Sequence, residues 1–195
     1  MPERRVVLAT ANPDKARELA ALLDGFDVAL RPAGLPDVEE TEDTLEGNAR
    51  LKAAAVMEAT GELSVADDTG LEVDALDGRP GVWAARYAGP GATYADNVAK
   101  LLGELAGVAP ETRTARFRTV AVALLPDGRE IVAEGVVEGT IAETPRGEAG
   151  FGYDPVFVPE GGDGRTFAQM SPEEKAELSH RGRALRRLSA KLLTR

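Results

Sequence analysis

Short apolar runs alternate with helix-forming segments along this chain, and that alternation limits the fold more than any other feature of the sequence. Residues 6–9 form a continuous apolar run, which is typical of a strand buried on both faces. Asn12 and Pro13 follow as a good N-cap and a favoured first helical residue. A hairpin is predicted further along, across residues 126–128. The pattern predicts an α/β fold, a mixed β-sheet flanked by helices, in a single domain spanning residues 1–195.

The composition excludes several classes of protein. A length of 195 residues suits one domain, or one domain of two lobes. The absence of cysteine excludes disulfide frameworks, thiol catalysis and cysteine-ligated metals, and it fits a reducing compartment. The one histidine excludes a multi-histidine metal site. The formal net charge of -10 argues against a basic surface that binds nucleic acid.

The negative charge is unevenly distributed along the chain. Between Asp37 and Asp77 there are thirteen acidic residues and two basic ones. Between Arg165 and Arg195 there are eight basic residues and three acidic ones. Solvated helix faces are the ordinary explanation for such runs.

The N-terminal segment does not have the pattern of a targeting signal or a membrane anchor. Its apolar run covers only residues 6–9. A signal peptide needs roughly 7–15 consecutive apolar residues and a membrane-spanning helix needs about 20. We therefore expect a cytoplasmic protein without a membrane partner.

Two adjacent carboxylates, Asp67 and Asp68, are the sharpest local indication of chemistry. The apolar run 63–66 predicts a strand that ends at Asp67, with a second strand beginning at Leu71. Open α/β sheets place ligands at such strand ends. Neighbouring carboxylates are best tolerated beside a cation, and Mg²⁺ prefers such oxygens together with water and substrate phosphates. One carboxylate is then able to accept a proton from water. The alternative is an ordinary Asx-type turn.

Two lysines favour contact with phosphates. The segment Thr10–Lys15 begins the first helix, whose N-terminus offers free N–H groups and partial positive charge. Neither of the usual glycine-rich phosphate loops is present, so an ordinary strand–helix junction remains the alternative. Lys52 shares one stripe of the second helix with Thr44 and Asn48, which is equally typical of a polar helix face.

Three further segments contain candidate ligand contacts. The segment Glu39-Glu40-Thr41 precedes the second helix and suits either a metal contact or the helix N-terminus. Phe151–Asp154 combines an aromatic face with an acceptor, which suits stacking on a base, although a buried loop aromatic is commoner. His180 and Arg181 begin the last helix. A lone histidine is usually structural, whereas arginine suits donation to a keto oxygen.

A series of short motifs follows in order along nearly the whole chain, and the ordered set is specific although no single motif is. They are Thr10-Ala11-Asn12-Pro13-Asp14-Lys15, Glu39-Glu40-Thr41, Asn48-Ala49-Arg50-Leu51-Lys52-Ala53, Ala66-Asp67-Asp68-Thr69-Gly70-Leu71, Pro80-Gly81-Val82, Ala85-Arg86-Tyr87, Phe151-Gly152-Tyr153-Asp154-Pro155, Glu174-Lys175 and Ser179-His180-Arg181-Gly182. In these motifs the chain resembles the inosine triphosphate pyrophosphatase family, also called Ham1-like or RdgB-type non-standard purine NTP pyrophosphatases.

The resemblance implies an elongated mixed sheet flanked by helices, in two lobes around a nucleotide cleft. It implies a Mg²⁺-dependent, homodimeric enzyme that hydrolyses XTP, ITP and dITP to the monophosphate and pyrophosphate, which removes deaminated purines from the nucleotide pool. It makes Asp68 the catalytic proton acceptor and a metal ligand, with Glu39 as the other metal carboxylate. The substrate contacts that it implies are Thr10, Ala11, Asn12, Pro13, Asp14, Lys15, Lys52, Thr69, Phe151, Gly152, Tyr153, Asp154, Lys175, His180 and Arg181.

Departures from the family pattern are small, and they leave two alternative functions to weigh. Members often carry Glu where this chain has Gly47, and Asn12-Pro13 replaces a more usual glycine-containing first turn. One alternative is a house-cleaning pyrophosphatase for modified pyrimidine nucleotides, as in the Maf-like proteins. The other is a nucleotide-binding regulator without turnover, against which the intact Asp67, Asp68 and both lysines count. A substrate panel separates these functions.

Overall fold

The computed structural model describes residues 4–194, which contain seven strands and five α-helices. No helix in this range is both long enough and apolar enough to cross a membrane. The strands are β1 (Arg4–Leu8), β2 (Phe26–Ala29), β3 (Ser64–Val73), β4 (Pro80–Gly81), β5 (Thr114–Leu124), β6 (Glu130–Ile141) and β7 (Phe157–Pro159). The helices are α1 (Pro13–Leu22), α2 (Leu45–Thr60), α3 (Tyr94–Glu104), α4 (Pro172–Leu178) and α5 (His180–Leu193).

One mixed sheet contains the seven strands of the described chain, in the order β2-β1-β3-β5-β6-β7 with β4 paired to β3. Strand β1 is parallel to both of its neighbours, and Val6 lies opposite Val28 in the register with β2. Strands β4 and β7 run antiparallel to β3 and β6. The turn between β5 and β6 is closed by the Leu125 N–H, which donates to the Arg129 carbonyl at 2.9 Å. The predicted mixed sheet and hairpin are therefore confirmed.

Local capping chemistry sets the helix starts. Asn12 Oδ1 accepts hydrogen bonds from the backbone N–H groups of Asp14 and Lys15, and Pro13 begins α1 as predicted. Thr44 caps α2, and Gly61, with a φ of 67°, ends that helix in the left-handed conformation. The start of α1 follows from side chains next to one another in sequence, which explains why the sequence predicts it.

The chain divides into two compact units. The first takes the described residues up to Asp68, the segment Thr119–Gly135, and the described residues from Arg181 onward. Its core is a buried apolar cluster contributed by α1, α5 and the strands between them. Members of this cluster include Val6, Leu8, Leu19, Leu23, Phe26, Val65, Ala121, Ile131, Leu185, Leu188 and Leu192.

The second unit takes Thr69–Arg118 and Val136–His180. Its core contains a group of aromatic rings, in which Phe117 lies 4.6 Å from Phe157 and Phe157 lies 5.4 Å from Phe167, centroid to centroid. Helix α3 packs Val98 and Leu101 into the same cluster. Each unit therefore has an apolar core of its own.

The predicted break in the third strand is wrong. Strand β3 continues from Ser64 through Asp67 and Asp68 to Val73, so the two carboxylates lie within the strand and not at its end. Both are buried. A strand tolerates buried carboxylates when cationic partners neutralise them, and those partners come from other elements of the fold.

Candidate active site

The predicted site residues fall into two groups, one in each unit. The first group surrounds the N-terminus of α1 and the carboxylates of β3. At the helix start, Thr10 is buried and its Oγ1 accepts a hydrogen bond from the Asn12 N–H at 3.1 Å. Ala11 and Pro13 are exposed, and Asp14 forms an ion pair with Arg17. The turn Thr10–Lys15 is thus ordered by its own side chains, which leaves a helix N-terminus suited to an anion.

Asp67 forms ion pairs with two cations through its Oδ2 atom. Its Oδ2 lies 3.1 Å from Nε of Arg181 and 3.6 Å from Nζ of Lys15. Burial opposes its ionisation, but Lys15 and Arg181 outweigh that effect and hold the pKa of Asp67 well below its usual range. Burial lowers the pKa of Lys15, and Asp67 acts in the opposite direction. Asp67 therefore stays ionised and acts as the counter-ion of two cations.

Arg181 is held by two carboxylates from distant parts of the chain. It is 2% exposed, and besides Asp67 it donates through a guanidinium nitrogen to Oε2 of Glu18. Glu18 lies on α1, three residues after Lys15, and the sequence analysis did not identify it. The only indication of a role for Glu18 in the sequence is its position one helical turn after Lys15, which is predicted to contact phosphate. The base-reading role predicted for Arg181 stays a prediction.

Asp68 has one engaged and one open carboxylate oxygen. Its Oδ1 accepts a hydrogen bond from Nζ of Lys52 at 2.9 Å. Its Oδ2 is buried and has no hydrogen-bond partner among residues 4–194. Burial raises the pKa of Asp68, against the opposing pull of Lys52 and Lys15. An open oxygen on a carboxylate of raised pKa is suited to a metal ion or to a proton taken from water.

Lys52 links Asp68 to a second carboxylate, Glu40. Its Nζ donates to Glu40 Oε1 and to Asp68 Oδ1, both at 2.9 Å. Burial works against the charge of Lys52, but Asp68, Asp67 and Glu40 outweigh it and raise its pKa above the usual value. Lys52 is therefore a cation held between two carboxylates.

The neighbour that the structure brings to Asp68 is Glu40. The predicted metal ligand Glu39 is exposed, whereas Glu40 is half-buried and electrostatically coupled to Asp68. The two glutamates are adjacent in the irregular segment before α2, and the sequence did not distinguish them. The metal-binding role of Glu39 stays a prediction, and Glu40 joins it as a candidate.

Asn48 fixes the loop that carries these glutamates. Its Oδ1 accepts from the Glu42 N–H at 3.0 Å, and its Nδ2 donates to the Glu42 carbonyl at 3.2 Å. A Cβ at Gly47 would lie 2.7 Å from the Glu42 Cβ. The glycine therefore leaves room for this loop to lie against the first turn of α2, which gives the departure at Gly47 a structural reason.

The oxygens around Asp68 fit a hard divalent cation. The open Asp68 Oδ2 and the nearby glutamate carboxylate are ligands that Mg²⁺ prefers. Among residues 4–194, no three Asp, Glu or His side chains form a complete metal cage. Mg²⁺ is usually bound through one or two carboxylates, with water and substrate phosphates completing the shell, so this donor set is appropriate for a substrate-dependent site.

The second group of predicted residues is built around Asp154. Its Oδ2 accepts from the Phe151 N–H at 2.8 Å and from Nζ of Lys175 at 2.5 Å. The Lys175 ammonium also lies 5.0 Å from the centroid of the Phe151 ring, a cation–π arrangement. Gly152 has a φ of 63°, which allows the tight turn between Phe151 and Asp154. The predicted segment is thus an ordered loop with an aromatic face.

Three other predicted residues of the second unit have mainly internal contacts. The Tyr153 ring is buried, and its hydroxyl donates to the Ala84 carbonyl at 2.8 Å. His180 is buried and stacks on Phe117, with centroids 4.4 Å apart. Thr69 is half-buried in β3, directly after Asp68. Tyr153 and His180 therefore support the aromatic core, and the substrate contacts predicted for these residues stay predictions.

The chain matches known proteins over nearly its whole length. The Ham1 family model matches residues 6–191. The chain is 54% identical to a dITP/XTP pyrophosphatase of Nitratidesulfovibrio vulgaris, over 96% of this chain and 95% of the relative. It is 52% identical to a dITP/XTP pyrophosphatase of Chlorobaculum tepidum, over 94% and 90% of the two chains. A solved HAM1 protein from Coxiella burnetii matches with a TM-score of 0.86 at 38% identity, over 98% of this chain and 100% of that one. The chain therefore belongs to the Ham1 family.

Proposed function

We propose that this chain hydrolyses ITP, dITP and XTP to the corresponding monophosphate and pyrophosphate. The observation that carries the proposal is the buried Asp68, with one oxygen on Lys52 and the other open. In the proposed reaction, a water oxygen forms a bond to the α-phosphorus. The bond between the α-phosphorus and the oxygen that bridges it to the β-phosphorus breaks. The water gives up its proton, and pyrophosphate leaves. The proposed role of the protein is the removal of deaminated purine nucleotides from the nucleotide pool.

Asp68 is the proton acceptor in this proposal. Its open Oδ2 is available to the attacking water, while the hydrogen bond from Lys52 to Oδ1 fixes the orientation of the carboxylate. Burial raises the pKa of Asp68, which strengthens it as a base. Asp67 is unsuited to the same task because Lys15 and Arg181 hold its pKa well below the usual range. The structure therefore favours Asp68 alone as the base.

Positive charge beside the carboxylates would stabilise the triphosphate. Lys15 and Lys52 supply two ammonium groups, and the N-terminus of α1 supplies backbone N–H groups and its dipole. Phosphoryl transfer depends mostly on such positioning and charge stabilisation. Asp68 with Glu39 or Glu40 would hold the Mg²⁺ ion. When bound, Mg²⁺ would supply charge neutralisation at the phosphate oxygens.

The second group of residues is the proposed base-recognition element. The Phe151 ring would stack on the purine, and Lys175 is a fixed donor beside it. His180 or Arg181 would donate to the 6-keto oxygen. Adenine has an amino group at this position, which would place a donor against a donor and leave both unpaired. This mismatch disfavours ATP.

A nucleotide panel tests the proposal. Purified protein is incubated with ITP, dITP, XTP, ATP, GTP and modified pyrimidine triphosphates, with Mg²⁺ or with EDTA, and pyrophosphate release is measured. We expect fast release from the deaminated purines, slow release from ATP and GTP, and no release in EDTA. Binding without release would support a regulator, and a preference for pyrimidines would support the Maf-like alternative.

The remaining expectations concern assembly and location. We propose a cytoplasmic homodimer: the family resemblance implies the assembly, and the proposed action on the nucleotide pool implies the location. Light scattering coupled to gel filtration measures the assembly. A mass twice the 20.5 kDa of one chain is the expected result, and 20.5 kDa would contradict it.

A further inference from the structure

Tyr94 is an exposed aromatic residue that lies against Phe151. The ring centroids are 5.8 Å apart and the ring planes are inclined by 39°, a tilted aromatic pair. Tyr94 is 41% exposed, so packing of the core does not account for its position. None of the motifs that carry the family resemblance includes it. The contact therefore joins a residue without an assigned role to the proposed base-stacking ring.

The loop of residues 150–154 fixes the backbone of Phe151, but side chains of other elements contact the Phe151 ring. The Phe151 N–H donates to Asp154 Oδ2, which fixes the backbone. The residues on either side, Gly150 and Gly152, have φ values of 71° and 63° and no side chains to support the ring. A Cβ at Gly150 would lie 2.1 Å from Asp154 Oδ2, so a larger residue does not fit there. Support for the ring comes instead from elsewhere in the second unit.

Two side chains from helices provide this support. Lys175 of α4 places its ammonium 5.0 Å from the Phe151 centroid, and Asp154 holds that ammonium. Tyr94 is the first residue of α3. Its backbone is ordered by a capping box, in which Thr93 Oγ1 accepts from the Asp96 N–H and Asp96 Oδ2 accepts from the Thr93 N–H. Tyr94 thus presents its ring from a fixed helix end.

We propose that Tyr94 is a positioning residue that sets the Phe151 ring for stacking on the purine base. The inference rests on the proposed function, in which Phe151 stacks on the base of the substrate. A correctly placed ring improves binding of the base and leaves the reacting phosphate unchanged. Loss of Tyr94 should therefore raise KM and leave kcat nearly constant. The size expected for one aromatic pair is a change of roughly threefold to tenfold.

Steady-state kinetics with dITP test the proposal in four variants. Tyr94→Ala is expected to raise KM by roughly threefold to tenfold with little change in kcat. Tyr94→Phe keeps the ring and is expected to restore the wild-type KM. Leu30→Ala removes another exposed apolar side chain, 66% exposed, and is the control with unchanged kinetics. Phe151→Ala is expected to raise KM by itself.

The double variant distinguishes failure of the inference from failure of the proposed function. If Tyr94 acts through Phe151, Tyr94→Ala should have little further effect in the Phe151→Ala background. Additive effects, an unchanged KM in Tyr94→Ala, or equal losses in Tyr94→Ala and Tyr94→Phe would each overturn the inference. A wild-type protein that releases no pyrophosphate from dITP would contradict the proposed function. An unchanged KM in Phe151→Ala would contradict the proposed role of Phe151 in binding the base.

Discussion

Asp68 and Lys52 form a hydrogen-bonded ion pair in which only one of the two carboxylate oxygens takes part. Nζ of Lys52 lies 2.9 Å from Oδ1 of Asp68, while Oδ2 is buried and has no hydrogen-bond partner in the described chain. A buried acceptor without a donor is costly, and proteins usually keep one where a ligand or a reaction uses it. This asymmetry is the strongest structural support for the proposed hydrolysis.

Replacement of Asp68 by asparagine should lower kcat for dITP by roughly a hundredfold to ten-thousandfold. The amide keeps the shape of the carboxylate but is a far weaker proton acceptor. Pyrophosphate release at saturating Mg²⁺ measures the effect. Asp24→Asn, which changes an exposed carboxylate of the same unit, is the matched control and should retain wild-type turnover. Turnover within a few-fold of wild type in Asp68→Asn would remove Asp68 from the proton-accepting role.

Lys52→Met should lower kcat/KM by roughly a hundredfold to a thousandfold. The substitution removes both hydrogen bonds of the ammonium and leaves Asp68 and Glu40 without the cation that holds them. Initial rates over a range of dITP concentrations measure the loss. Lys191→Met, which changes an exposed lysine on α5, should have no such effect. Equal activity of the two variants would show that Lys52 acts neither on the phosphates nor on Asp68.

Arg181→Leu should lower the free energy of unfolding by about 3–5 kcal/mol, because it leaves Asp67 buried with one of its two cations missing. Denaturant titration measures the loss. Arg187→Leu is the matched control on the same helix, since that arginine is exposed. Adding Asp67→Asn to Arg181→Leu should recover part of the stability by removing the unpaired charge.

The nucleotide preference of an Arg181 variant separates its two suggested roles. If Arg181 reads the base, Arg181→Ala should lose discrimination between ITP and ATP. If stability is unchanged and only this discrimination is lost, the ion pairs to Asp67 and Glu18 are not its main contribution. If discrimination is unchanged and stability falls, Arg181 acts through Asp67 and the base-reading role is rejected.

Asn48→Ala should increase the Mg²⁺ concentration needed for half-maximal activity. The substitution releases the backbone of Glu42 and with it the loop that carries Glu39 and Glu40. Asn97→Ala is a matched control, because Asn97 is also buried on a helix and bonds two backbone groups of a neighbouring loop. Each variant should lose about 1–3 kcal/mol of stability, but only Asn48→Ala should change the Mg²⁺ requirement. A parallel change in both variants would indicate a general effect of destabilisation.

Helix starts were predictable because capping is local. Asn12 caps α1 where the sequence predicts it, and Thr44, Thr93 and Ser171 cap their helices in the same way, each bonded to a backbone N–H two or three positions later. The continuity of β3 was not predictable from the same kind of pattern. A pair of acidic residues normally interrupts an apolar strand, and here it does not because its cationic partners lie elsewhere in the chain.

The candidate site shows the same division between local and distant information. Asp68 and Lys52 were identified because each belongs to a distinct motif. The sequence did not distinguish Glu40 from Glu39 and gave no role to Glu18, because tertiary packing decides which side chain faces Lys52 or Arg181. Asn48 was placed on a polar stripe, but its bonds to Glu42 became visible only in the fold.

The Arg181–Asp67 pair also bears on how the protein is made. The two residues are separated by 114 positions in the sequence. Synthesis at roughly 5–20 residues per second delivers Arg181 to the growing chain on the order of ten seconds after Asp67. During that interval the carboxylate lacks its guanidinium partner. Completion of this ion pair is therefore a late event in biosynthesis, and the first unit acquires its full native electrostatics only after α5 has been translated.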